Sequence, residues 1–178
     1  MPRESTLERT TSETSIQLSL NLDGCGKSRI STGIPFFDHM LTLFAKHGLM
    51  DLDLTAKGDI EVDYHHTVED TGILLGQAVD RALGDKVGIQ RYGSSYVPMD
   101  EALVRCVVDL SGRPYLNYTA PKKADVIGSA FTFQLVEEFL RAISVHGGMN
   151  LRVDVLAGRD AHHMAEGIFK SLARALDQ

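Results

Sequence analysis

The chain has 178 residues, 43% apolar and 24% charged, an ordinary globular composition and enough length for one substantial domain or two small ones. Its 18 Lys and Arg against 24 Asp and Glu give a net charge of -6, which argues against nucleic acid or an anionic membrane as partner and still allows a small phosphorylated substrate held by a few local cations. No apolar run long enough to span a bilayer occurs, the polar start from Met1 to Ser15 lacks a signal-peptide core, and Cys25 and Cys106 have no metal-like spacing, so a reducing cytoplasmic setting is expected.

In chain order, residues 1–15 are expected to form a flexible N-terminal arm. Ile16, Leu18, Leu20 and Leu22 then alternate with polar residues and predict a half-buried strand. Pro35 is suited to open a helix to about residue 46, with Phe36, Phe37, Met40, Leu41 and Phe44 on its apolar face and Gly48 as its stop. Segments 49–55 and 60–64 read as strands around the turn Lys57-Gly58-Asp59, and a helix follows from His65 to about Leu83, ended by Gly84. Further on, 103–110 and 115–118 read as strands around Ser111-Gly112-Arg113-Pro114. A helix is expected over about 131–145, a strand at Leu151, Val153 and Val155, and a last helix to about Leu176.

The second half repeats the first. His47-Gly48-Leu49-Met50-Asp51-Leu52 matches His146-Gly147-Gly148-Met149-Asn150-Leu151, and both follow a predicted helix and precede a strand and then a helix opened by two histidines. The reading is a tandem duplication, with α+β lobes at 16–90 and 91–178 packed as one compact unit and a boundary near Gly88 to Tyr92.

The helix openings are His65-His66-Thr67-Val68-Glu69 and His162-His163-Met164-Ala165-Glu166. Imidazole is the commonest protein metal ligand, and a glutamate three or four residues on reaches the same helix face. Adjacent histidines point about 100° apart, so one ring and the glutamate serve one metal and the other ring a second. A lone histidine is more often a satisfied core or surface residue, and that reading stays open for His47 and His146; for the two phrases it needs the same coincidence twice. His39 is a further candidate, and the 99-residue step from His47 to His146 maps it onto Glu138, a carboxylate in the same register. Mixed N/O ligation without thiolate suits Mn, Fe, Co, Ni or Zn. Arg91 and Arg113 sit at turns where a guanidinium can fork onto phosphate, and Lys170 lies about two helical turns past His162, placed to grip the far end of a substrate. Glu13 reads, on its own, as a solvated acid.

These phrases, with Arg9-x-Thr11-x-Glu13-Thr14, the run from Gly33 to Leu41, Gly88-Ile89-x-Arg91-Tyr92-Gly93, Met99-Asp100-Glu101-Ala102-Leu103, Asp109-Leu110-Ser111-Gly112-Arg113-Pro114 and Phe169-Lys170-x-x-Ala173-Arg174-Ala175-Leu176, resemble the imidazoleglycerol-phosphate dehydratase family over nearly the whole chain. The resemblance implies an α+β fold of two duplicated lobes, each a four-stranded mixed sheet with two helices on one face, of the ribosomal protein S5 domain 2-like kind. It implies a hydro-lyase of histidine biosynthesis that converts imidazole glycerol phosphate to imidazole acetol phosphate. It also implies two manganese ions (Mn2+) per active site and a cytoplasmic homo-oligomer of 24 subunits with sites at subunit interfaces. By match to the family, His39, His65, His66, Glu69, His162, His163 and Glu166 are metal ligands, Glu13 is the general base, Arg91, Arg113 and Lys170 hold phosphate, and the segment from His39 to His47 lines the substrate pocket. Glu138 departs from members that have a ligating histidine there, and is expected to replace it. The tail phrase Ser-Lys-Gly of relatives does not appear before Gln178, so either the chain is trimmed or Arg91, Arg113 and Lys170 suffice for phosphate. Two other readings compete: a catalytically silent metal-binding cage, which needs no phosphate clamp, and a two-metal phosphohydrolase, which leans on Asp more than on imidazole.

Overall fold

The structure, a computed structural model, describes residues 2–121 and 125–178. In the first lobe, strands β1 (Glu4–Thr10), β2 (Thr14–Asn21), β3 (Ser28–Ser31) and β4 (Asp51–Gly58) form a sheet of order β1-β2-β4-β3, with helix α1 (Pro35–His47) between β3 and β4 and helix α2 (His65–Leu83) after β4. The second lobe repeats this plan. Strands β5 (Tyr92–Met99), β6 (Ala102–Asp109), β7 (Tyr115–Thr119) and β10 (Asn150–Ala157) order as β5-β6-β10-β7, with helix α3 (Gln134–His146) before β10 and helix α4 (Ala161–Leu176) after it. In both sheets one pair is parallel, β3 with β4 and β7 with β10, and the helix between its strands supplies the crossover that parallel pairing requires.

The duplication holds residue by residue. Thr14 and Asn21 bound β2 where Ala102 and Asp109, 88 positions on, bound β6. Pro35 and His47 bound α1 where Gln134 and His146, 99 positions on, bound α3. The step from 88 to 99 falls between β7 and α3, where the second lobe carries an extra hairpin, β8 (Val126–Ile127) with β9 (Phe131–Thr132).

Each sheet turns one face inward. In β2 the inward positions are Ile16, Leu18 and Leu20, and in β6 they are Val104, Cys106 and Val108. The helices lie between the sheets, and α1 packs on α4 as α2 packs on α3, so both lobes share one core. Phe37 of α1 meets Phe139 of α3 and Phe169 of α4 at ring-centroid distances of 5.6 and 6.4 Å, an aromatic joint between the lobes. Gly72 and Gly76 let α2 approach α3: a Cβ on Gly76 would sit 2.8 Å from both the Gly147 nitrogen and the Ile143 carbonyl oxygen. No helix of the described residues is long and apolar enough to cross a membrane.

Three expectations are corrected. The arm over 1–15 is no free tail, because Glu4–Thr10 forms strand β1, paired along its length with β2, and only Thr11, Ser12 and Glu13 form a turn. Segment 60–64 is a connecting loop, where Val62 N–H closes a turn on the Asp59 carbonyl. The helix expected from residue 131 begins at Gln134, and Phe131 and Thr132 belong to β9.

Candidate metal centre and active site

The two histidine pairs open α2 and α4 at equivalent places, 97 positions apart. Asp160 caps α4 by accepting the backbone N–H groups of His162 and His163. On each helix the first histidine turns toward the glutamate four residues on: His65 Nε2 lies 3.4 Å from Glu69 Oε2, and His162 Nε2 lies 3.3 Å from Glu166 Oε2.

The second histidine of each pair faces elsewhere. His66 Nδ1 donates to Asp59 at 3.0 Å, and His163 Nδ1 donates to Glu101 at 2.8 Å. In each case the carboxylate raises the pKa of the ring and fixes its orientation, turning Nε2 away from it; that of His163 lies 3.6 Å from Asp100 Oδ2. Glu101 also accepts the backbone N–H groups of Asp160 and Arg159, and with His163 these bonds hold its carboxyl down at about 2. Asp59 and Glu101 were missed as site residues. Glu101 had a signal, since it stands 88 positions after Glu13, the step that relates β2 to β6.

The helix pairing brings ligands of the two lobes together. His39 on α1 reaches α4, its Nε2 3.7 Å from Glu166 Oε2, and the ligand atoms of His39, His162 and Glu166 all lie within 4.8 Å of one another. Among the described residues this is the one group of three or more His, Cys, Asp or Glu so gathered. The pseudo-equivalent Glu138 on α3 lines a small cavity of about 210 Å³ with His65 and Asp63. Two imidazoles and a carboxylate are a fitting donor set for a borderline divalent metal, and Glu166 is buried while His39 stays exposed, so the group opens outward. Burial pushes the Glu166 carboxyl up, but Lys170, His39 and His162 outweigh it and its pKa is lowered.

Lys170 Nζ pairs with Glu166 Oε1, one turn along α4. His47, two turns from His39 on α1, is half-buried, and burial followed by the nearby charges of Lys170, Lys46 and Arg174 lowers its pKa, which favours the neutral ring. A strip from His39, His162 and Glu166 to Lys170 and His47 thus runs along the α1–α4 seam. Glu13 is exposed in the β1–β2 turn, near enough to His66 to feel its charge, and hydrogen bonds from Ser12 and Thr11 lower its pKa. Arg91 pairs with Asp109 at 2.6 Å and lies over the Tyr92 ring, and exposed Arg113 adds its charge beside Asp109. Arg91 stands just before β5 and Arg113 follows β6, whose last residue, Asp109, pairs with Tyr92 at the start of β5, whereas Lys170 touches Met99 Sδ at the far end of β5. Eight strand residues separate those ends by roughly 23 Å.

A family model described as imidazoleglycerol-phosphate dehydratase matches residues 32–176. Proteins of that name from Acetivibrio thermocellus and Geobacillus kaustophilus are 59% and 56% identical, over 99% and 100% of this chain and 90% and 91% of theirs. The crystal structure of the Staphylococcus aureus dehydratase superposes with a TM-score of 0.87 at 40% identity, covering 98% of this chain and 96% of that one. One from Pyrococcus furiosus gives 0.84 at 35% identity, covering 96% and 91%. On the family model's match and these identities, the chain belongs to the imidazoleglycerol-phosphate dehydratase family.

Proposed function

We propose that this hydro-lyase of histidine biosynthesis converts imidazole glycerol phosphate to imidazole acetol phosphate at a two-metal site loaded with Mn2+. His39, His162 and Glu166 would hold ions together with His65, His66, Glu69, Glu138 and His163. The observation that carries the reading is the convergence of His39, His162 and Glu166 from both lobes onto one point. When bound, the metals supply Lewis acidity and a template for the imidazole ring. Glu13, kept as a carboxylate by Ser12 and Thr11, takes the proton from the carbinol carbon, the hydroxyl of the ring-bearing neighbour departs, and that proton and hydroxide together make up the one water lost, which returns Glu13 to the carboxylate. The enol so formed tautomerises to the ketone. Lys170 and His47, along the seam, orient the phosphate with Arg91 and Arg113.

Those two arginines stand at the other end of sheet β5-β6-β10-β7 from Lys170, which supports sites completed by a neighbouring subunit in a homo-oligomer of 24. Turnover of imidazole glycerol phosphate with and without Mn2+ tests the reading, with ketone product and no free phosphate as the expected result. His162→Ala and His65→Ala should each lose bound metal and activity together. Full metal occupancy with normal turnover in either variant, or release of free phosphate, would overturn it.

A further inference from the structure

The turn that carries Glu13 is clamped from beneath. Arg9 Nε donates to Asp70 Oδ1 at 2.9 Å, and Thr14 Oγ1 donates to Asp70 Oδ2. One buried carboxylate on α2 thereby holds the chain on both sides of Thr11-Ser12-Glu13. Within the turn, Thr11 Oγ1 accepts the Glu13 N–H at 3.1 Å and the Thr14 N–H at 3.0 Å, while Asp59 N–H donates to the Glu13 carbonyl at 3.2 Å.

The second lobe has the same backbone plan without this clamp. The positions matching Arg9 and Thr14 are Val97 and Ala102, and those matching Thr67, Asp70 and Thr71 are Met164, Gly167 and Ile168. The fold itself therefore packs a hairpin on this helix with apolar residues. In the first lobe it buries a carboxylate instead, and on the same helix the hydroxyls of Thr67 and Thr71 are buried with no hydrogen-bond partner among the described residues. Polar burial costs stability unless something else selects for it. The difference also tracks what the turns do. Glu101 is tied to its own lobe by two backbone N–H groups and His163, whereas Asp59 occupies His66 and leaves the Glu13 carboxylate exposed.

We propose that Asp70 is a positioning residue for Glu13, setting the turn through Arg9 and Thr14 so that the Glu13 carboxylate addresses the substrate. The proposal rests on the reading of Glu13 as the base. The test is a double-mutant cycle on the assembled, Mn2+-loaded enzyme, with kcat, KM, bound metal and Tm measured for each variant. Asp70→Asn should lower kcat on the order of tenfold to a hundredfold, the cost of a misplaced catalytic group. Its KM and bound Mn2+ should stay within about twofold, because substrate binding is not what Asp70 serves. Thr14→Val should act in the same direction, and Thr14→Ser, which keeps the hydroxyl, should restore kcat. Glu13→Gln combined with Asp70→Asn should be no slower than Glu13→Gln alone, since a group acting only through Glu13 has nothing left to position.

A purely structural Asp70 would lower Tm and multiply its loss onto that of Glu13→Gln, which would overturn the proposal. Normal kcat in Asp70→Asn beside an inactive Glu13→Gln would overturn it and leave the base reading intact. Normal kcat in Glu13→Gln would overturn both. If Asp70→Asn fails to assemble, the contrast between Thr14→Val and Thr14→Ser decides the question.

Discussion

His66 and His163 hold equivalent places at the openings of their helices, yet their Nδ1 atoms are steadied by carboxylates from different parts of the fold. Asp59 comes from the loop after β4, and Glu101 from the turn before β6. The swap is what leaves Glu13, the counterpart of Glu101, free of a histidine. It also makes Glu101 the firmer anchor, because its carboxylate is itself fixed by the Arg159 and Asp160 amides. Outer partners of this kind typically change metal affinity by tenfold to a hundredfold, so Glu101→Ala should weaken Mn2+ binding by about that factor. Equilibrium metal titration followed by metal analysis measures it, and unchanged affinity would mean His163 needs no orienting partner. Six of the eight proposed ligands were legible from the repeated His-His-x-x-Glu spacing, and the duplication step related the other two, His39 and Glu138. Asp59 and Glu101 were not read: Asp59 stands seven residues before His66 in a loop whose spacing marks no ligand, and Glu101 lies 62 residues from His163 and is marked only by its duplication step from Glu13.

At the scale of elements, legibility followed burial. Helices α1, α2 and α4 and strands β2, β6 and β10 carry the periodic apolar faces that pack the shared core, so pattern finds them. Strands β1 and β5 are edges of their sheets and read as Glu-Ser-Thr-Leu-Glu-Arg-Thr and Tyr-Gly-Ser-Ser-Tyr-Val-Pro-Met, polar or interrupted by Gly and Pro. Edge strands are kept polar to resist pairing with other chains, which erases the alternation that would announce them. The α2–α3 contact depends on a different signal, the glycines at 72 and 76. Alanine in an open helix stabilises by about 1 kcal/mol relative to glycine. At position 76 the new Cβ would instead meet backbone at 2.8 Å on two sides, and backbone cannot swing away. Gly76→Ala should therefore destabilise by about 1–3 kcal/mol, the usual range for overpacking. Urea unfolding would show the lowered midpoint, and a neutral or more stable variant would mean α3 yields more easily than its packing implies.

At the scale of the molecule, duplication supplies two related half-sites and the helix pairing crosses them between lobes. His39 of the first lobe joins His162 and Glu166 of the second, and Glu138 of the second lobe shares a cavity with His65 of the first. Yet among the described residues the two His-His phrases do not merge into one cluster, and the Arg91–Asp109 pair stands a strand length from Lys170. The proposed metal ligands and the proposed phosphate cations Arg91 and Lys170 thus stand at separate places on one chain. Symmetric association of identical chains brings such separated patches together. The consequence can be tested by complementation. Arg91→Ala and His162→Ala should each be inactive as pure assemblies. Co-expressed as differently tagged subunits and purified through both tags, they should recover activity, up to about one quarter of the wild-type level for random mixing, because some sites then draw an intact arginine from one subunit and an intact histidine from another. Mixed assemblies as inactive as either parent would place all the required groups on one chain and remove the case for a shared site.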